Sequence, residues 1–459
     1  MFRPVLPSFL FMREASCTSR KKSGKMLEKV LRIVKKIIPR LIFVSFQPFY
    51  HRLLNFLAAA RYGWPSRKMT IIGITGTNGK STVVNLLSEI LEEAGIKSAS
   101  ISSLRFRIGK KEWPNALKMT MPGRFFLQKF LARAEKAGVR HAIIETTSEG
   151  IRQFRHKNIK WDILAITNLT PEHIESHGGF ENYKQAKGKL FGEPHKITVV
   201  NADDDYAEYF LGFSAEEKIV YGIKNPAEIK AENVKLADNE IKFLVGKMEF
   251  SLPLLGEFNV YNALAAMAVA RALGVSDEKI KSAFAKIKNI PGRMELIGVG
   301  RPFRVVVDYA HTPDSLEKVY RTLKTSVQTG NSGKLICVLG AAGGGRDKWK
   351  REKFGEITGR YCRTIIVTDE DPYDENPQVI LDEIEAGFLK ICRSSAVGAA
   401  NFFKILDRRE AIRKALKSAA AGDTVIITGK GAESVIMGPA GKRVPWDDRT
   451  VVKEELNRL

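Results

Sequence analysis

Met69-Thr70-Ile71-Ile72-Gly73-Ile74-Thr75 runs directly into Gly76-Thr77-Asn78-Gly79-Lys80-Ser81-Thr82, and Val83 to Ala94 follows with apolar residues at helical spacing. A short apolar run, a glycine-rich turn and an amphipathic stretch read as strand, loop and helix. A phosphate-binding loop needs this placement. Backbone N–H groups and the helix N-terminus face the anion, Lys80 reaches the β- and γ-phosphates, and the Ser81 hydroxyl is available to Mg²⁺. Ile74 stands where a strict Walker A sequence has its first glycine.

Outward from this loop, apolar runs at 141–146, 162–167 and 197–200 alternate with helix-like segments, the pattern of a parallel α/β sheet. A second series follows at Phe303–Val307, Lys334–Leu339, Thr364–Val367 and Asp423–Thr428. Two α/β domains in series are expected, 69–296 and 297–459, joined near Gly292–Gly298. Residues 1–68 form a separate basic, helical N-terminal segment in this division.

The chain has 459 residues, 44% of them hydrophobic, enough for two or three full cores. Its net charge is +23, but residues 1–70 alone carry 15 basic and 2 acidic side chains. The basic character is therefore largely N-terminal. It lacks interleaved aromatics on a recognisable sheet, so nucleic-acid binding is not implied. Residues 1–25 have little periodicity and read as unfolded, with Met26 a candidate start. Leu27–Ile38 reads as a basic amphipathic helix ended by Pro39, and a second helix is expected from about Pro48 to Arg61. These helices either lie on the next domain or make a reversible, peripheral membrane contact. The uncharged stretch Leu41–Tyr50 is too short to span a bilayer, and no secretory cleavage pattern follows it. Cys17, Cys337, Cys362 and Cys392 show no metal spacing and are too sparse for a disulfide framework, so a reducing, cytoplasmic setting is expected.

With Gly76–Thr82 the chain resembles the Mur ligases, ATP-dependent amide-forming enzymes of peptidoglycan precursor synthesis. Glu145-Thr146-Thr147-Ser148-Glu149-Gly150-Ile151, Thr167-Asn168-Leu169-Thr170-Pro171-Glu172-His173, Ser176-His177-Gly178 and Tyr183-Lys184-Gln185-Ala186-Lys187 follow the order of the family's tripeptide synthetases. So do Gly256–Asn262, Gly292-Arg293-Met294-Glu295, Asp308–Asp314, Gly344–Lys348 and Gly429–Glu433. The resemblance covers about residues 69–440. It implies a central P-loop ATPase-type parallel sheet domain followed by a Rossmann-like C-terminal α/β domain. Several positions depart from the family pattern. The uridine-binding N-terminal domain of about a hundred residues is replaced by the basic segment. Glu149 and Ala432 stand where histidines are usual, Met121 replaces a second threonine, and Glu370-Asp371-Pro372-Tyr373 replaces Asp-Asn-Pro-Arg.

Making an amide from a carboxylate requires its activation, which ATP supplies as an acyl phosphate, so cations must surround the phosphoryl oxygens. Ser81 and Glu145 suit one Mg²⁺ as hard oxygen ligands, and His173 would help hold a second. By resemblance Lys187 carries a carbamate and is a metal ligand. Lys80, Lys187, His173 and Glu145 are thus the candidate catalytic residues. A structural role is the alternative for His173 and His177, and a surface lysine for Lys187. Zinc is disfavoured because no cysteine or third histidine lies nearby. Asn259 and Asn262 are three apart on one expected helix. By resemblance they meet the adenine, with Arg293 and Asp308 closing on phosphates and ribose. For Asn259, helix capping is the alternative. The family further implies that Thr120, Ser148 and Arg155 hold the UDP-N-acetylmuramoyl-dipeptide and that Arg346 grips the incoming amino acid's carboxylate.

Two other functions compete: another ligase of the superfamily, such as a folylpolyglutamate synthase, or a nucleotide-binding membrane-surface adaptor without ligase activity. Folylpolyglutamate synthases typically read Gly-Lys-Gly-Ser where this chain has Gly79-Lys80-Ser81-Thr82. For the amino acid, the uncharged Tyr373 and the acids Asp371 and Glu433 favour a distal ammonium. Lysine is therefore expected over meso-diaminopimelate.

Overall fold

The computed structural model describes residues 40–237, 240–298, 300–330, 333–394 and 400–459, with side chains from residue 47 except at 325–330 and 393–394. The expectations for residues 1–25 and for a helix at Leu27–Ile38 lie outside the described residues.

The first sheet contains β1 (Thr70–Thr75), β2 (Ser98–Ile101), β3 (Arg105–Ile108), β4 (Lys111–Pro114), β5 (His141–Glu145), β6 (Ile163–Ile166), β7 (Ile197–Asn201), β8 (Glu217–Gly222), β9 (Ile229–Leu236), β10 (Ile241–Val245) and β11 (Met248–Leu252). Its order is β11-β10-β9-β8-β7-β6-β1-β5-β2-β3-β4. The pairings from β2 through β9 are parallel, while β3–β4 and β10–β11 add antiparallel ends. β1 is central and buried on both faces, which is why it reads as a continuous apolar run. The second sheet holds β12 (Glu295–Ile297), β13 (Arg304–Val307), β14 (Leu335–Leu339), β15 (Thr364–Val367), β16 (Asn401–Lys404) and β17 (Thr424–Ile427). They are ordered β12-β13-β17-β14-β15-β16 and all parallel except β12 against β13. Because β12 begins at Glu295, it straddles the expected boundary at 296/297.

Helices cover both sheets: α1 (Arg40–Arg61), α2 (Lys80–Glu93), α3 (Arg124–Lys136), α4 (Ser148–Arg152), α5 (Ile174–His177), α6 (Phe180–Phe191), α7 (Ala207–Leu211), α8 (Phe258–Ala272), α9 (Asp277–Lys286), α10 (Pro313–Gly330), α11 (Trp349–Tyr361), α12 (Pro377–Ser394), α13 (Arg408–Lys417) and α14 (Asp448–Leu456). Alanine-rich α8 is buried along Ala263–Ala270 and packs with α2 on one face of the first sheet. Trp161, Leu164 and the aromatic residues of α6 fill the other face.

Two sequence expectations are corrected. α1 begins at Arg40 and runs through Pro48 rather than starting there. Pro48 is exposed, so the carbonyl it leaves without a helical partner can turn to solvent. Cys337 and Cys362 form a disulfide, where reduced cysteines were expected. Cys362 lies in the short turn between α11 and β15, which pairs with β14, and its Cα is 6.1 Å from that of Cys337. Among the described residues, no helix is long and apolar enough to cross a membrane.

Candidate active site

The phosphate loop leaves β1 at the middle of the sheet and enters α2, whose first turn holds Lys80, Ser81 and Thr82. Residues 167–170 brace it from the end of β6. Thr77 N–H donates to the Asn168 carbonyl and Asn78 N–H to Asn168 Oδ1, each at 2.9 Å. Thr167 Oγ1 donates to the Asn78 carbonyl at 2.6 Å, and Thr170 N–H to Thr77 Oγ1 at 3.0 Å. The Tyr183 hydroxyl of α6 lies 3.0 Å from Thr77 Oγ1. At Gly76 and Gly79, φ is 141° and 83°, and side chains there would collide with Thr167 and with Asn262 Oδ1. The Thr-Asn-Leu-Thr run was legible as a motif, but its bracing role was not.

Ser81 Oγ donates to Glu145 at 2.9 Å, and Ser103 N–H donates to the same carboxylate at 2.9 Å. The expected pair therefore stands assembled at the end of β5. Lys80 Nζ donates to the Thr77 carbonyl and Lys187 Nζ, on α6, to the Gly76 carbonyl, both at 2.8 Å. Burial and the charge of Lys80 hold the Lys187 ammonium well below its ordinary pKa. Lys80 is lowered by burial too, with Glu145 acting against the shift. His173 is held well below its ordinary value by burial, then by Arg346 and Lys350, and is neutral. Beside it Glu172, which sequence reasoning quoted but gave no role, pairs with Lys350 at 3.1 Å and leaves Oε2 buried without a partner. Ser81 with Glu145 and, separately, Glu172 with His173 offer donors that suit a hard divalent cation, the orphaned Glu172 oxygen among them, while among the described residues no three histidine, cysteine or carboxylate side chains are grouped as a preformed metal site.

Asn262 Nδ2 donates to Asn259 Oδ1, and Asn259 Nδ2 donates to the Leu255 carbonyl. Only Asn262 turns an oxygen toward the loop, so the two amides do not share one ligand edge. Asp308 accepts from Met294 N–H and Ala310 N–H, both at 2.7 Å, and so braces the turn that carries Arg293. The Arg293 guanidinium lies over the Tyr309 ring at 4.4 Å.

The site spans both sheets. Asn78 Nδ2 donates to Asp314 at 3.0 Å, and Asp347 accepts from Ile174 and Glu175 N–H groups at the start of α5. Ser148 Oγ lies 3.2 Å from His177 Nε2, whose ring packs against Tyr183. Thr120 is half-buried and precedes Met121, which is buried against Gly150. Arg155 lies beyond α4, apart from the loop, and bonds to the Met121 carbonyl. The acids Asp371 and Glu433, expected to await a ligand amine, are already paired. Lys430 meets them at 2.8 and 2.6 Å, and Lys118 at 3.3 and 2.6 Å. Lys118 reaches them across the domain interface from a left-handed backbone position, a contact no local pattern announces.

A phosphate loop at the C-terminal edge of a parallel sheet, met by polar contacts from a second α/β domain, defines a two-lobed nucleotide-binding fold. Residues 74–270 match the Mur ligase middle domain and residues 292–431 the Mur ligase glutamate ligase domain, and the chain belongs to the Mur ligase family. A Roseiflexus sp. (strain RS-1) protein named UDP-N-acetylmuramyl-tripeptide synthetase is 39% identical over 88% of this chain and 81% of its own. A Caldanaerobacter subterraneus subsp. tengcongensis protein named UDP-N-acetylmuramoyl-L-alanyl-D-glutamate–2,6-diaminopimelate ligase is 37% identical over 87% and 80%. A solved structure of a ligase with that latter name superposes with a TM-score of 0.57 at 30% identity, covering 85% of this chain and 78% of that one. The Mycobacterium tuberculosis folylpolyglutamate synthase gives 0.64 at 18% identity, over 84% of this chain and 96% of that one, a likeness of fold.

The paired acids generate a prediction. Burial acts to raise the Glu433 pKa, but Lys430 and Lys118 outweigh it and hold it at about 2. A depressed carboxyl stabilises the fold above its unfolded value of about 4.3, and that contribution is lost as pH falls toward the folded value. Lys118→Met is expected to raise the Glu433 pKa and move acid unfolding to higher pH, read by carboxyl ¹³C titration and by pH-dependent melting. An unmoved Glu433 would show that Lys430 alone sets it.

Proposed function

We propose that this chain is an ATP-dependent carboxylate–amine ligase that adds a diamino acid to UDP-N-acetylmuramoyl-L-alanyl-D-glutamate in peptidoglycan precursor synthesis. The braced phosphate loop with Ser81–Glu145 beside half-buried Lys80 and buried Lys187 carries this reading, and the names of relatives at 37–39% identity supply the substrate class. In the proposed chemistry the acceptor carboxylate attacks the γ-phosphorus and ADP leaves. The amine then attacks the acyl carbon, loses a proton and expels phosphate. Lys80 and the loop amides neutralise charge on the phosphoryl oxygens as it develops. Ser81, Glu145, Glu172 and His173 would hold Mg²⁺, two ions in the fullest reading, which screens the phosphates when bound. Asn262 would face the base, and Arg293 the phosphates. Ser148, Thr120 and Arg155 would hold the acceptor, and Arg346 the amino acid's carboxylate.

A carbamate on Lys187 belongs to the proposal. Carbamate formation requires a neutral amine to attack CO₂, with loss of a proton from nitrogen, and the lowered pKa of Lys187 supplies one. The product is an anionic oxygen ligand in place of a cation.

The amino acid proposed is diaminopimelate, reversing the expectation of lysine. That expectation needed unpaired acids at Asp371 and Glu433, and Lys118 and Lys430 already neutralise both. Residues 69–294 and 295–459 serve as the two domains of this ligase. Its N-terminal segment, 1–68, is proposed to rest on an anionic membrane surface at the cytoplasmic face. In support, α1 exposes Phe49, Tyr50, Leu53, Phe56 and Leu57 along one side while Asn55, Ala58 and Ala59 are buried on the other. The chain before it is strongly basic.

With purified acceptor, ATP and equal concentrations of lysine and meso-diaminopimelate, the expected product mass is that of the diaminopimelate tripeptide. Predominant lysine product would restore a distal-ammonium site, and no product with either would remove the ligase reading. Lys187→Ala should lose on the order of a hundredfold or more in turnover and regain part of it with added formate or acetate; full activity without additives would dismiss the carbamate. In flotation, the protein should rise with vesicles containing phosphatidylglycerol and not with phosphatidylcholine alone. A Leu53→Ser, Phe56→Ser variant should stay below, and equal flotation of the two proteins would dismiss membrane docking.

A further inference from the structure

Between β4 and α3, a left-handed backbone at Lys118, φ 54°, turns a first-lobe side chain toward the second lobe. The turn that carries it is tied back to the first sheet. Asn115 Nδ2 donates to the Ser102 and Met119 carbonyls at 2.8 and 3.0 Å, and Leu117 N–H donates to Asn115 Oδ1 at 3.0 Å. Lys118 Nζ ends 2.6 Å from Glu433 Oε2 and 3.3 Å from Asp371 Oδ2, and Lys430 Nζ lies 2.6 and 2.8 Å from the same two carboxylates. Two cations and two anions therefore form a closed quartet with no net charge. Its members are not equivalent. Lys430 and Asp371 are buried, while Lys118 and Glu433 are half-buried and form its accessible side. Against burial, Glu433 and Asp371 raise Lys430 above its ordinary pKa; burial and the charge of Lys430 hold Lys118 below its own, although the same acids face it. Lys118 is the cation of the quartet with negative charge still to gain.

Tyr309 joins the quartet to the phosphate side of the site. Its hydroxyl donates to Glu433 Oε1 at 3.4 Å, and its ring lies under the guanidinium of Arg293, the residue assigned above to the phosphates. With the reacting amine on the phosphate side of Tyr309, the side chain of the incoming amino acid points to Glu433 on the other. Charge then decides between the candidate amino acids. A lone distal ammonium, as in lysine, reaches Glu433 only by displacing Lys118, and the displaced side chain gains no anion in return. A distal centre with both an ammonium and a carboxylate exchanges partners instead. Its ammonium takes Glu433 and its carboxylate takes Lys118, so every charge stays paired. We propose that Lys118 is the residue that selects an amino acid with a distal carboxylate, which it receives from across the lobe interface. The proposal rests on the ligase reading above, and it gives the first lobe a part in choosing the second lobe's substrate.

The test is the ratio of kcat/KM for meso-diaminopimelate to that for lysine, measured on the full chain with saturating ATP, Mg²⁺ and UDP-N-acetylmuramoyl-dipeptide. Wild type should favour diaminopimelate, Lys118→Gln should lower the ratio about tenfold to a hundredfold, and Lys118→Arg should keep most of it. The loss with diaminopimelate should appear in KM. Lysine should become a better substrate of Lys118→Gln than of wild type, because Glu433 then has only Lys430 as partner and can take its ammonium. Damaged folding cannot produce such a gain. Equal losses with both amino acids would make Lys118 only a tie between the lobes, and a higher KM for the acceptor with the ratio unmoved would place an acceptor carboxylate on it. Either result overturns the assignment, as does a wild type that favours lysine. Calorimetric titration of both amino acids into the same proteins, with a non-hydrolysable ATP analogue, Mg²⁺ and the acceptor present, separates this inference from the reading beneath it. If wild type yields no tripeptide yet binds diaminopimelate more tightly than lysine, and Lys118→Gln loses that preference, the assignment stands and the ligase reading falls. If wild type binds neither amino acid, or Lys118→Gln keeps the preference, the assignment is overturned.

Discussion

The hydrogen bonds between the phosphate loop and Thr167–Thr170 are the constraint from which the rest of the site follows. A loop with two left-handed glycines has no stiffness of its own, and isolated it would sample many conformations. Here its amides and carbonyls are engaged by side chains and backbone at the end of β6. That arrangement is possible because β1 and β6 are parallel neighbours, so both strands deliver their C-terminal ends to the same edge. Glu145 reaches Ser81 for the same reason, since β5 flanks β1 on its other side. Sheet order thus converts three distant sequence segments into one rigid cradle.

Around the cradle the protein concentrates positive charge and removes water. Lys187 is buried and Lys80 half-buried; desolvation lowers both, and the charge of Lys80 further destabilises the Lys187 ammonium. Such an arrangement is costly in the unliganded protein and is relieved when phosphate oxygens enter. The second lobe meets the first through polar contacts, Asp314 to Asn78 and Lys350 to Glu172 among them, and through Leu255 and Phe258, which pack into the second lobe's hydrophobic core.

How much of this was legible depends on how local the cause was. The buried parallel strands, from β1 and β5–β7 to β13–β15 and β17, are near-continuous apolar runs, and the phosphate loop has its own composition. β3, β4 and β9–β11 mix charged with apolar residues on half-exposed surface, so no run marks them. The Asn259–Asn262 spacing correctly put both amides on one helix face, yet it could not reveal that one amide would be used to hold the other. Lys118 and Glu172 were invisible, because each draws its meaning from a partner far away in the chain. The acids at 371 and 433 misled for the same reason: their charges could be counted, but the lysines that cancel them could not be seen.

The disulfide between Cys337 and Cys362 closes a loop of 25 residues, and that loop contains Arg346, Asp347 and Lys350. Those residues are the second lobe's reach toward α5 and Glu172. Tying the ends of such a segment removes about 3.5 kcal/mol of chain entropy from the unfolded ensemble in the polymer description. The bond is buried in the second lobe's core, yet it restricts the backbone freedom of the segment that must meet the other lobe. Its thiol and disulfide forms would therefore differ less in the geometry of the closed enzyme than in how often the segment is found in the geometry that closing requires.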